Sequence, residues 1–224
     1  MFPIRDSIPS RTVPVVNYAI IAANAAAFLF ELTLGKDLGP FLKVYGLVPK
    51  TLAVGGESWA VLGAPFGTAM FLHGGWMHLI SNMWSLYIFG DNVEDRMGHG
   101  GYLVFYLLSG LAASLLQVWA SWGSSLPVIG ASGAIAGVMG AYFLLFPGAR
   151  VVALVPVFFF LRMMEMPAFV FLGLWLLFQF YSGTVAVLGG AGRFGGVAWW
   201  AHVGGFVGGM ILMRAFVSRK GRGA

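Results

Sequence analysis

Gly130-Ala131-Ser132-Gly133-Ala134-Ile135-Ala136-Gly137 carries a single hydroxyl side chain at the head of an uncharged, glycine-rich run, and its reading decides the fold. Far along the chain a second apolar run, Ala201-His202-Val203-Gly204-Gly205, holds a lone histidine. Ionisable groups at membrane depth are costly and usually functional. Serine with histidine is the minimal pair of nucleophile and base. The small residues beside each let two helices approach closely. Together the two stretches predict peptide-bond chemistry inside a membrane.

Composition supports that setting. Of 224 residues, 9% are charged and 59% hydrophobic, and the mean hydropathy is +0.85. A soluble domain of this length needs far more polar surface. The sequence therefore predicts an all-α integral membrane protein in contact with the lipid bilayer. With no cysteine, disulfides, thiolate catalysis and zinc–thiolate sites are excluded. The net charge of +5 comes from basic residues dispersed at segment ends rather than from a patch, so it argues orientation and not nucleic-acid binding.

Six apolar segments approach the roughly 20 residues that a spanning helix needs, at about 14–35, 71–90, 101–122, 130–147, 167–182 and 197–216. The polar lead-in, Met1 to Pro14, is followed by a long apolar run without a small-residue cleavage site, which reads as a retained first span rather than a secretory signal. No separate soluble domain is evident, so residues 1–224 read as one membrane domain. Lys36 to Met70 is rich in Gly and Pro yet greasy, and is expected to lie in the interface or half inside the bilayer. Residues 148–166 carry Arg150, Pro156, Arg162 and Glu165, and are expected as an interfacial stretch leading to a helix that starts near Pro167.

Counting Lys and Arg sets the orientation. With a cytoplasmic N-terminus, Arg5, Arg11, Arg96, Arg150, Arg162, Arg214, Arg219, Lys220 and Arg222 fall inside, against Lys36, Lys43, Lys50 and Arg193 outside. Both termini are then cytoplasmic. Ser132, His202, His78 and Asn82 all fall at similar depth, toward the non-cytoplasmic side. Scattered polar residues would not agree in depth this way.

Gly130 permits a sharp turn into a helix that begins at Ser132, whose unpaired N–H groups could stabilise an oxyanion. The soluble-hydrolase pattern GxSxG does not fit, because Ala134 stands at its last position. His202 is followed by Gly205 and Gly209 on nearly the same face, and the serine segment offers Gly133, Ala136, Gly137 and Gly140. His78 and Asn82, spaced i, i+4, share a face and can both donate hydrogen bonds. His73 lies at that span's entrance. A metal site is disfavoured, since HExxH is absent and no carboxylate lies near. Asp91, Glu94, Asp95 and Arg96 are read as a capping and ion-pair cluster, His99 as solvated, and Trp175, Phe178, Phe180 and Tyr181 as lipid-facing or packing residues.

At these residues the sequence resembles the rhomboid family of intramembrane serine proteases. The matching elements are GxSG (Gly130 to Gly133), His73-x4-His78-x3-Asn82, Glu94-x-Arg96 and Ala201-His202-x2-Gly205-x3-Gly209. The resemblance implies a bundle of six transmembrane helices with a half-embedded first loop, in the plasma (inner) membrane. It implies Ser132 as nucleophile and His202 as general base, a dyad without a third acid. His78, Asn82 and the Ser132 N–H would form the oxyanion hole, with His73 in the network above it. Glu94, Arg96, Gly205 and Gly209 would be structural. Residues about 183–197 would cap the site and the fifth span would gate substrate helices. No cofactor would be needed, and the partners would be transmembrane substrate proteins. Two departures stand out: Ala136 replaces a tyrosine that some members stack on the histidine, and Ala64-Pro65 stands about where some members carry Trp-Arg. A non-catalytic rhomboid-like protein that binds membrane clients is the competing reading. A channel or transporter would want several polar-lined spans.

Overall fold

The computed structural model describes residues 1–55, 58–157, 160–189 and 197–217. The fold is a helical membrane bundle. Its long helices are α1 (Val15–Thr33), α5 (Trp76–Met97), α6 (His99–Ala120), α7 (Ser132–Leu145), α8 (Ala168–Leu188) and α9 (Trp199–Phe216). Among the described residues α1, α6 and α8 are long and apolar enough to cross a bilayer by length and composition alone. The other three carry the glycines, charges and histidines that dilute hydropathy, because they line the interior.

α7 is the hub, packed against α9, α6, α5 and α8. Every residue from Gly133 to Tyr142 is buried. Such burial on all faces follows from a sequence that is apolar and small all round. The helix stops at Leu145 because Phe146, preceding Pro147, takes an extended φ of −133°. Its 14 residues span about 21 Å, short of the roughly 30 Å hydrocarbon core.

α1 shows the logic of the bundle from the outside. Its buried stripe is Asn17, Ile20, Asn24, Phe28 and Glu31, while Leu29, Phe30 and Leu32 are exposed. Polar groups face the protein and apolar ones face lipid, as a bilayer demands.

The segment expected to be half-embedded breaks into α2 (Leu38–Tyr45), α3 (Pro49–Val54) and α4 (Trp59–Thr68), flanked by two 3₁₀ turns. α4 lies on α6, and Leu47 is buried with Ala69 and Val118. Backbone bonds join Leu47 N–H to Val128 O (3.0 Å), Val128 N–H to Leu47 O (2.8 Å) and Gly130 N–H to Ala69 O (2.8 Å). The first loop therefore clamps the strand-like run that leads into Ser132.

Three expectations need correction. α5 begins at Trp76 and continues to Met97, so its helix carries the acidic cluster instead of ending before it. Residues 148–166, in a fold expected to be all-α, are mostly strand. They form a hairpin of β2 (Arg150–Val157) and β3 (Phe160–Pro167), with β1 (Phe2–Asp6) paired antiparallel to the other side of β2. The run Val151-Val152-Ala153-Leu154-Val155 carries the β-branched signal for it. The polar lead-in is accordingly an edge strand, and the helical bundle carries a three-stranded sheet. Third, residues 183–188 of the expected cap belong to α8, and the part at 190–196 lies outside the described residues.

Candidate active site

Close backbone contact brings the two motifs together. A Cβ at Gly205 would run into the Gly133 carbonyl, and one at Gly209 into the backbone of Gly137. Glycine at both positions is what allows α9 to lie against α7. With the helices this close, His202 Nε2 stands 2.8 Å from Ser132 Oγ. The far side of the ring meets α8, where His202 Nδ1 lies 2.7 Å from Gln179 Oε1. The amide oxygen can only accept, so Nδ1 carries the proton and Nε2 presents its lone pair to the serine hydroxyl.

Two residues on α8 escaped the sequence reading. Gln179 is buried, and nothing in its apolar surroundings marks it as facing inward. Trp175 was expected in lipid or in general packing. Its ring centroid lies 5.7 Å from that of His202, tilted by 38°. Ala136, at the position of the missing tyrosine, lies against Gly205, so the imidazole's aromatic neighbour comes from α8 instead. Phe178, Phe180 and Tyr181 are exposed, as expected.

His73, His78 and Asn82 gather on the α5 side. His73 Nδ1 lies 3.3 Å from Phe71 O and its Nε2 lies 3.1 Å from Asn82 Nδ2. The ring therefore donates to the carbonyl and accepts one amide hydrogen of Asn82, leaving that amide a second N–H. His78 Nδ1 accepts from Gly74 N–H at 3.3 Å, so its proton sits on Nε2. That nitrogen is close to Gly130, where a Cβ would come within 2.7 Å of it. The φ of +122° at Gly130 is a further reason for glycine there. A cleft of about 230 Å³ is lined by Ser132, His202, Asn82, Gln179 and Trp175, and also by Met1, Phe2 and Pro3.

Glu31 is the third residue the sequence did not flag. It is buried on α1 and accepts the His73 backbone N–H at 3.1 and 3.3 Å. It pins the turn that carries His73. Among the described residues no His, Asp or Glu grouping is suited to a metal ion.

The α5 terminus stands apart from this site. Glu94 accepts the N–H groups of Val16 (3.0 Å) and Asn17 (2.8 Å), capping α1. Asp95 accepts from Arg11 N–H, Thr12 N–H and the Thr12 hydroxyl. His99 is exposed, as expected, and its Nδ1 also lies 2.5 Å from Glu94 Oε1. Arg96 pairs with neither acid among the described contacts and lies over the Phe146 ring at 5.7 Å.

The profile of the Rhomboid domain matches residues 56–219 of this chain. Rhomboid protein 1, mitochondrial, of Saccharomyces cerevisiae is 30% identical over 199 residues, 87% of this chain and 51% of that protein. Rhomboid protease GluP of Bacillus subtilis is 34% identical over 129 residues, 57% of this chain and 24% of its own length. Inactive RHOMBOID-like protein 8 of Arabidopsis thaliana is 32% identical over 108 residues, 48% of this chain and 29% of that protein. The chain spans about half or less of the length of the curated relatives it matches. The matched profile runs through both Ser132 and His202 and takes in well over half of the sequence: the chain is an integral membrane protein of the rhomboid family.

Proposed function

We propose that this chain is an intramembrane serine endopeptidase that hydrolyses a peptide bond in or near a transmembrane helix of its substrate. The observation that carries the proposal is the 2.8 Å approach of His202 Nε2 to Ser132 Oγ, with the tautomer set by Gln179. In this reading His202 takes the serine proton as Oγ attacks the scissile carbonyl, then returns it to the departing amine. Negative charge on the carbonyl oxygen is met by N–H groups at the start of α7, by the free Asn82 amide hydrogen and by His78 Nε2–H. His73 and Glu31 hold Asn82 in place. Glu94, Arg96, Gly205 and Gly209 serve the fold. No step calls on a metal or cofactor.

The chain acts as a single membrane domain, with both termini cytoplasmic and the serine opening toward the non-cytoplasmic side of the plasma membrane. The Lys and Arg distribution supports this orientation, and the shortness of α7, 14 residues, is in keeping with a serine below the membrane surface. A non-catalytic client-binding role is the second reading, favoured only by the inactive relative.

The test is labelling of purified protein by a mechanism-based serine-hydrolase reagent, beside cleavage of a model transmembrane substrate. Wild type is expected to label and cut. Ser132→Ala and His202→Ala are expected to lose cleavage while keeping their thermal stability. Substantial turnover by well-folded Ser132→Ala would overturn the mechanism, and absence of both labelling and cleavage in wild type would favour the client-binding reading.

A further inference from the structure

The described bundle leaves one side of the site to something other than a helix. β1 lies between α5 and β2: Phe2 stacks on Trp84 of α5 (6.3 Å, 14°), and Trp84 Nε1–H donates to Pro3 O at 2.7 Å. On its other edge β1 pairs with β2, Phe2 with Leu154 and Asp6 with Val151. Tyr142 Oη donates to Asp6 at 2.5 Å, and Met1, Phe2 and Pro3 line the cleft shared by Ser132 and His202. β1 is therefore held by α5 and β2 and tied to α7 at Tyr142, and its leading residues form part of the wall of the cleft that Ser132 and His202 also line.

The strand is firmly tied at its far end, where Ser7 Oγ accepts from Arg150 N–H and Ile8 O from Asn92 Nδ2–H, but it is short and irregular. Five residues make the strand, the pairing slips between Pro3 and Arg5, and Met1, Phe2 and Arg5 are exposed. Pro3 has no N–H to give the ladder. Yet the edge of β2 cannot be left bare, because Val151 and Ala153 are fully buried and unpaired buried backbone groups are costly. An edge that must always be covered, held by a short and irregular strand, is suited to exchange of one strand for another.

We infer that the β2 edge is the docking site for an extended segment of the transmembrane substrate, and that Phe2–Asp6 occupies it as the chain's own competitor. Substrate adds to β2 as β1 leaves, so the ladder is never open and the scissile bond enters the cleft that Met1 and Phe2 now line. The inference rests on the protease reading for the identity of the displacing partner.

The chain has no cysteine, so a single engineered pair tests it cleanly. Phe2→Cys with Leu154→Cys places thiols on directly paired residues, whose Cα separation of about 4.5–5.5 Å falls within the roughly 4.4–6.8 Å that a disulfide spans. Binding and cleavage of a fluorescent model transmembrane peptide are measured for the oxidised and the reduced protein, with serine-reagent labelling of both forms. Oxidation removes the binding-competent fraction, so peptide affinity and cleavage should each fall by at least about tenfold and return on reduction. Small-reagent labelling should persist, since the dyad is intact. Equal peptide binding in the two forms would overturn the inference and make β1 a permanent wall. Because binding is read separately from cleavage, a protein that binds differentially but never cuts would sink the protease reading and leave the docking site standing. As a second variant, replacing Phe2 to Asp6 by a Gly-Ser run of equal length should raise affinity for the peptide, and an unchanged or lowered affinity would count against the inference.

Discussion

The α7–α9 face and the α5–α8 side of the same site are built on opposite rules. On the first, glycine stripes bring two backbones together until a single added methyl has nowhere to go. On the second, among the described elements, the boundary includes a short strand and half-exposed aromatics. The dyad needs atoms held to a fraction of an ångström, and close packing of small residues supplies that. A polypeptide substrate needs a wall that can be rearranged, and a short paired strand supplies that. On the proposed function, one site thus divides rigidity and access between its two flanks.

The sharpest way to break this contrast is to overfill the rigid flank. Gly205→Val is expected to abolish cleavage and to lower stability by about 1–3 kcal/mol or more through overpacking, read as a drop in thermal midpoint beside the activity. Cleavage at wild-type rate would mean that the α7–α9 contact is not what sets the dyad.

A smaller effect is expected from Asn82→Ala, which leaves serine and histidine in place. Loss of one oxyanion donor costs roughly 10²–10³ in turnover, and the measurement is kcat and KM on a transmembrane substrate. The loss should fall on kcat, with slow covalent labelling of Ser132 retained. A change confined to KM would make Asn82 a substrate contact instead.

The smallest of the three is Gln179→Ala, and it sharpens the contrast most, because this residue sits on α8, on the access flank, and orients a group on the rigid one. Its loss frees the imidazole tautomer and should lower kcat by about tenfold, a fraction of the 10²–10⁴ that general acid–base catalysis supplies. Wild-type activity should fall on acidification through the range where a histidine protonates, near pH 6.5 for a free imidazole, because a protonated base cannot accept the serine proton. Gln179→Ala should displace that limb, whereas a purely structural role would leave it unmoved. Gln179→Glu, which keeps an acceptor, should recover part of the rate.

Sequence and structure agree where the signal is local and repeated. GxSG, the i, i+4 pair His78 and Asn82, and the His202-x2-Gly205-x3-Gly209 stripe each carry their geometry in their spacing. Gln179, Trp175 and Glu31 do not. Each is a single residue on an apolar helix, and which way it points depends on how that helix is rotated in the bundle. The hairpin was masked by apolarity. A run such as Val151 to Val155 is equally at home in a buried strand or a membrane helix, and periodicity cannot choose between them. β1 was harder still, since five residues containing a proline become a strand only by pairing with a partner far along the chain.

The attachment of the N-terminal arm at Asp95 carries a kinetic consequence. Ser10, Arg11 and Thr12 are staked to that carboxylate, and Glu94 holds the following turn of α1. Residues before Ser10 are thus leashed a few residues from their seat, with Ile8 O also accepting from Asn92 Nδ2–H at 3.0 Å, and a short leash presents its strand at an effective concentration on the order of millimolar. A substrate in the membrane would compete against that fixed local dose rather than against an empty site. Raising or lowering the dose by altering the length of the Ser7-Ile8-Pro9 leash would tune how abundant a substrate must be before it is cut.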